Sequence, residues 1–249
     1  MEFTKMEGLG NDFIVVDGPV DPYPQEIASW CDRRRGIGAD GVLEVTPISN
    51  VRVAMRYWNA DGGEAAMCGN GLRCVARYAV DRALVDGKSF MVETAVGPRA
   101  VQLRDNGLVR VFLGTPKTGE EIKLSGVTLH TVDMGNPHAI SWVEDTKQAQ
   151  VKELGPAIET AERFPEGTNV EFATVSGPNR IDLRVWERGV GETLACGSGA
   201  AATAYLAHDQ GYVDSSVAVR LLGGELWVEL DDEGAWIEGP ANTVFSGLL

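Results

Sequence analysis

Alternation of apolar and polar residues is the strongest regularity along the chain. Val51, Val53, Met55 and Tyr57 alternate with Arg52, Ala54 and Arg56, and Ile181, Leu183 and Val185 alternate with Asp182 and Arg184. Successive side chains of a strand point to opposite faces, so both segments predict half-buried strands. The apolar run Phe13-Ile14-Val15-Val16 predicts another. The period then changes. Leu72, Val75, Ala76, Ala79, Val80 and Ala83 recur at helical spacing, which predicts a helix buried along one side that ends near Gly87 in a left-handed cap. From Gly199 to about His208 the chain is Ala-rich almost all round and stops before Gly211, which predicts a second helix wrapped by strands on most sides.

These two strand-to-helix segments are copies of one another. Arg56 to Gly71 (RYWNADGGEAAMCGNG) aligns without a gap on Arg184 to Gly199 (RVWERGVGETLACGSG), offset by 128 positions, and Arg, Trp, Gly, Glu, Cys, Gly and Gly recur in order. Upstream, Met6 to Asp17 has a weaker echo in Met134 to Asp145, aligned on Gly10-Asn11 and Gly135-Asn136. Downstream, the strands around the Asp105-Asn106-Gly107 turn are answered by Leu226 to Glu238 around Asp231 to Gly234. The halves meet near Gly114-Thr115-Pro116. The expected domains are residues 1–116 and 117–240, with a C-terminal strand over 241–249 free to return to the first. The expected fold class is α+β, two pseudo-symmetric domains, each a mainly antiparallel sheet wrapped around a central helix.

Composition narrows the function classes. A chain with 44% hydrophobic and 23% charged residues is an ordinary globular one. Its formal net charge of −14 is spread along the sequence, and such a surface repels phosphate backbones and anionic membranes, so neither nucleic acid nor membrane is an expected partner. No basic region followed by a long apolar stretch opens the chain, and no apolar run approaches the roughly 18 residues of a membrane span. Cys31, Cys68, Cys74 and Cys196, without an export signal, read as thiols in a reducing compartment rather than as a disulfide frame.

Cys68 and Cys196 both stand immediately before Gly-x-Gly at a helix start, where unpaired backbone amides and the positive end of the helix dipole favour a thiolate. A single nucleophile has no use for a symmetric partner. Stereo-inversion does: one group removes a proton from one face of a carbon while another delivers a proton to the opposite face. The expectation is two halves folded face to face with Cys68 and Cys196 across one cleft, one as thiolate and the other as thiol. Charge developing on a substrate α-carboxylate would meet the amides of Gly69, Asn70, Gly197 and Ser198. No lysine stands in a pyridoxal-binding setting, Gly8-Leu9-Gly10 precedes a strand instead of following one, and the cysteine and histidine spacings match no zinc pattern. The expectation is therefore no cofactor and no metal, and a small-molecule amino acid as partner.

The motifs resemble diaminopimelate epimerase. The resemblance rests on Gly8 to Phe13, Asn59 to Gly62 with Met67 to Gly71 and Arg73-Cys74, Gly135 to His138, Gly167 to Val170, and Glu187 to Gly189 with Ala195 to Gly199. It implies interconversion of LL- and meso-diaminopimelate, a step toward lysine, in the cytoplasm and as a homodimer. It makes Cys68 and Cys196 the acid/base residues, gives His138 and Glu187 the tuning of their ionisation, and makes Asn11, Asn59, Asn136, Asn169, Glu187 and Arg188 substrate contacts. Two positions depart from the family pattern. Gly41 stands where many members have a substrate-contacting Gln, and Ser198 stands where many have Thr. Other readings of the same residues are a racemase of another amino acid such as histidine or proline, a hydroxyproline dehydratase, a cysteine hydrolase using Cys68 with His138, and a binding module. The hydrolase leaves Cys196 unexplained.

Overall fold

In the computed structural model, which describes residues 1–65 and 67–249, the alternating segments pair into two compact units. One is Met1–Val111 with Gly239–Leu249, the other Phe112–Glu238. Ala66, inside the duplicated window, lies outside the described residues. Among the described residues no helix is long and apolar enough to cross a membrane.

The first unit runs β1 (Glu2–Gly8), β2 (Asn11–Asp17), α1 (Pro24–Cys31), β3 (Gly41–Ser49), β4 (Arg52–Asn59), α2 (Gly69–Asp81), β5 (Ser89–Thr94), β6 (Gly97–Leu103) and β7 (Val109–Gly114). β1 lies antiparallel to both β2 and the C-terminal strand Asn242–Leu248, where Phe3 packs edge-on against Phe245 at 5.9 Å. β2 and β3 are parallel, as are β4 and β5, and the remaining neighbours are antiparallel. A two-residue turn joins β1 to β2, with Leu9 at φ 56° and Gly10 at φ 83°. Positive φ at both centres is what a tight hairpin between twisted strands requires, and it delivers Asn11 to the first position of β2.

α2 packs against β1, β2, β3, β4 and β6. The expectation of a helix buried along one side is corrected, because Asn70 through Ala76 are buried without a break. Its end is corrected too. The helix stops at Asp81, and the left-handed residue after it is Ala83, at φ 53°, with the Leu84 amide donating to the Ala79 carbonyl at 2.8 Å. Gly87 is left-handed in a later turn.

The second unit runs β8 (Lys117–Leu124), β9 (Val127–Asp133), β10 (Pro137–Trp142), α3 (Val151–Glu159), β11 (Asn169–Gly177), β12 (Arg180–Glu187), β13 (Gly191–Thr193), α4 (Gly197–Asp209), β14 (Ser216–Leu221), β15 (Gly224–Leu230) and β16 (Ala235–Gly239). β10 and β11 are parallel, as are β12 and β14, and the rest are antiparallel. The pairing repeats that of the first unit: Phe13 lies opposite Gly41, and His138 opposite Asn169. α4 is buried on nearly every side by small residues, among them Ala200, Ala201, Ala202, Ala204 and Ala207. Strands β9, β10, β11, β12, β14 and β15 pack around it. The architecture is α+β with two repeats, each a mainly antiparallel sheet around a helix. Each fully buried Leu or Val in these cores, such as Leu43, Leu72, Val75 and Val219, contributes about 1.5–3 kcal/mol.

Candidate active site

The first cysteine turn follows β4. Cys68 is extended (φ −144°, ψ 117°) and caps α2, its sulfur accepting from the Gly71 amide at 3.4 Å. Its thiol faces Asn11 Oδ1 at 3.6 Å, and the same oxygen accepts from Asn70 Nδ2 at 3.2 Å. Asn11 is held in that orientation because its Nδ2 donates to Asp40 Oδ2 at 2.6 Å. Asp12, beside it, is gripped by Lys5 and by both terminal nitrogens of Arg33. Burial alone would push the Asp12 carboxyl up, but the hydrogen bonds and charges of Arg33 and Lys5 bring it down to about 2. Behind the turn lies Arg73, fully buried, which donates to Asn70 Oδ1 at 3.0 Å and to the Pro240 carbonyl at 3.2 Å. Its third nitrogen, Nη1, has no hydrogen-bond partner among the described residues, and burial lowers the affinity of the guanidinium for its proton.

The second cysteine turn follows β13 and is built alike. Cys196 is extended (φ −123°, ψ 112°) and caps α4, its sulfur accepting from the Gly199 amide at 3.4 Å. Ser198 Oγ is 3.6 Å from that sulfur and accepts from Asn136 Nδ2 at 3.4 Å. Asn136 Oδ1 lies 3.2 Å from His138 Nε2, and His138 Nδ1 lies 2.6 Å from Glu171 Oε1. Asn169 bridges Pro137 and the Arg188 amide. Glu187 ends β12, with the Thr193 hydroxyl on its Oε1 at 2.5 Å.

Electrostatics set the form of this sulfur. Burial pushes the Cys196 thiol well above its ordinary range, the Glu187 and Glu171 carboxylates push it further, and the Ser198 and Gly199 bonds only partly oppose them. These influences favour the thiol over the thiolate at Cys196. Burial also pushes Glu187 up, while the Thr193 hydroxyl and the Cys196 thiol hold its anion.

Within the first unit the expected residues Cys68, Asn11 and Asn70 share one hydrogen-bonded cluster, with Gly69 in the turn between them. Asn59 is exposed at the end of β4, its backbone closing a turn with Gly62 and Gly63. Within the second unit Cys196, Gly197, Ser198, Asn136 and His138 form the matching cluster, and Glu187 bonds to the thiol. Arg188 is exposed, its guanidinium on the Glu166 carbonyl at 3.2 Å. Gly41 has a local cause: a Cβ there would stand 2.3 Å from the Trp58 carbonyl and 2.6 Å from the Tyr57 ring. No side chain fits that position. Among the participants that were not expected are Asp40, Arg73 and Glu171. The repeat carries a signal for the last two, since the 128-residue offset pairs Glu171 with Leu43 and Arg73 with Ala201, a charge against an apolar residue each time.

Comparison with known proteins gives the family. The chain matches the family model described as diaminopimelate epimerase over residues 3–119 and 130–244. It is 44% identical to the diaminopimelate epimerase of Alkalilimnicola ehrlichii, over 99% of this chain and 98% of that protein. It is 40% identical to that of Methanococcus maripaludis, over 99% of each. A predicted epimerase of known structure from Pseudomonas aeruginosa superposes with a TM-score of 0.78 at 16% identity, over 100% of this chain and 98% of that one. At that identity the likeness is one of fold.

Proposed function

This chain belongs to the diaminopimelate epimerase family and is an isomerase, and from that premise we propose that it interconverts LL- and meso-diaminopimelate by proton transfer between Cys68, Cys196 and one α-carbon. The observation that carries the reading is the likeness of the two cysteine turns. Each sulfur caps a buried helix and is held by the amide three residues on at 3.4 Å, so a duplicated scaffold supplies two acid/base groups of one design.

In the direction in which Cys68 abstracts the proton, Cys196 delivers one. Burial and two carboxylates keep its proton in place until a carbanion draws it. In the reverse direction the roles exchange. The carbanion's charge spreads into the α-carboxylate, where amides of Gly69, Asn70, Gly197 and Ser198 at helix N-termini stabilise it. Asn11, Asn59, Asn136, Asn169, Glu187 and Arg188 recognise the substrate's polar groups, with Arg188 able to hold a carboxylate through two parallel bonds. His138 and Glu187 tune the sulfurs. The enzyme serves lysine biosynthesis in the cytoplasm as a homodimer and needs no cofactor.

Incubation of LL-diaminopimelate with the protein in heavy water tests this. Solvent deuterium is expected at one α-carbon, and Cys68→Ala or Cys196→Ala is expected to lower epimerisation by about 10²–10⁴-fold. Undiminished turnover in either variant would refute the two-cysteine mechanism.

A further inference from the structure

The geometry points to Glu171 as a positioning residue of the Cys196 turn, which sets the His138 ring and, through Asn136 and Ser198, the surroundings of the thiol. The inference rests on the function proposed above and extends it, giving Glu171 a part beyond the charge it places near the sulfur.

A continuous line of short contacts supports it. Glu171 Oε1 is 2.6 Å from His138 Nδ1, His138 Nε2 is 3.2 Å from Asn136 Oδ1, Asn136 Nδ2 is 3.4 Å from Ser198 Oγ, and Ser198 Oγ is 3.6 Å from Cys196 Sγ. Both ring nitrogens thus face oxygen atoms, which leaves the imidazole one orientation. Oxygen partners on either side fix a ring as the partner of a metal-bound histidine does.

The environment argues that this arrangement is not there for stability. The Glu171 and His138 side chains are 0% exposed, and Glu171 Oε2 has no hydrogen-bond partner among the described residues. A buried carboxylate with a bare oxygen costs free energy. The duplicated half shows that the fold does not require it. At the equivalent positions the first unit places Phe13 and Leu43, also fully buried. Both occupants sit beneath the first turn of their helix: a Cβ on Gly71 would stand 3.1 Å from Leu43 Cδ2, and one on Gly199 would stand 2.7 Å from Glu171 Oε1. One scaffold therefore accepts an apolar pair at this place under Cys68 and carries an ionisable pair under Cys196. The difference follows the chemistry of the turn above, where Ser198, bonded by Asn136, meets the sulfur.

A residue that orients proton delivery without touching substrate changes kcat and leaves KM alone. Glu171→Gln keeps the shape of the side chain and removes its charge. Its kcat for LL-diaminopimelate is expected to fall by about tenfold to a hundredfold, with KM within about twofold of the parent and the thermal midpoint unchanged. His138→Phe with Glu171→Leu transplants the pair of the first unit and is expected to fold with a midpoint at or above the parent's. If Glu171 acts through the ring, Glu171→Leu costs no further kcat once His138 is Phe. Three results overturn the inference: parent-like kcat in Glu171→Gln, a loss of kcat that persists undiminished in the His138→Phe background, or a loss that tracks a fall in the folded fraction. A parent protein that incorporates no deuterium from heavy water sinks the proposed function and this role with it, whereas an active parent with equally active variants sinks this role alone.

Discussion

Cys196 is enclosed by burial, by the Glu187 carboxylate at the end of β12 and by Glu171 on β11, and all three disfavour its anion. Alkylation needs the thiolate, so iodoacetamide is expected to modify Cys196 slowly at pH 7 and faster as pH rises above 9. Glu187→Gln removes one neighbouring negative charge, so the thiol pKa falls and the rate at pH 8 rises. A fall of half a unit multiplies the thiolate fraction about threefold. Peptide mass spectrometry reads this directly, and equal rates in parent and variant would show that the carboxylate does not act on the sulfur. The sequence marks Cys68 and Cys196 because a duplicated turn repeats them. Periodicity hides Glu171 and Arg73, because a charged residue in a strand or helix reads as a solvent face; only their mismatch across the repeat, against Leu43 and Ala201, marks them.

The two central helices end in the same way. In each, an amide donates to the carbonyl five residues back at 2.8 Å, Leu84 to Ala79 and Tyr212 to Ala207, and the residue before that amide is left-handed. In α4 that residue is Gly211, at φ 74°, and in α2 it is Ala83, at φ 53°. A Cβ in this region crowds the following carbonyl. Ala83→Gly is expected to raise stability by about 0.5–1 kcal/mol and Gly211→Ala to lower it by about 1 kcal/mol. A Cβ at Gly211 meets nothing within 4 Å, so the second change isolates the backbone effect. Urea midpoints at constant slope measure both, and a shift of the same sign in the two variants would contradict the argument. The end of α4 is legible in the sequence through Gly211. The end of α2 is not, since an alanine carries no mark of a left-handed residue and the nearest glycine, Gly87, lies further on. The one-sided stripe of α2 misleads for a related reason: Asn70, Arg73 and Cys74 interrupt it as polar letters, yet hydrogen bonds and burial place all three inside.

At the scale of the chain, the gapless copy of sixteen residues announces both the duplication and the position of each helix, because the repeat carries strand, turn and cap together. The family then follows from motifs spread over most of the length. What periodicity leaves open is where the chain closes each unit. The first unit is completed by the strand Asn242–Leu248, which pairs with β1 from Glu2 to Glu7. Deletion of residues 242–249 exposes the backbone of β1 and uncovers Phe3. Such a truncation is expected to make Met1–Val111 sensitive to limited proteolysis while Phe112–Glu238, whose strands are contiguous, stays resistant; equal resistance of the two segments would contradict it.

That discontinuity has a consequence for the newborn protein. Synthesis delivers the beginning of the first unit early and its last strand only after every residue of the second unit has been joined. No strand of the later-encoded half waits on a distant segment of the chain. The earlier-encoded half must wait for the strand Asn242–Leu248, with the edge of β1 open to chaperones or to other nascent chains in the interval.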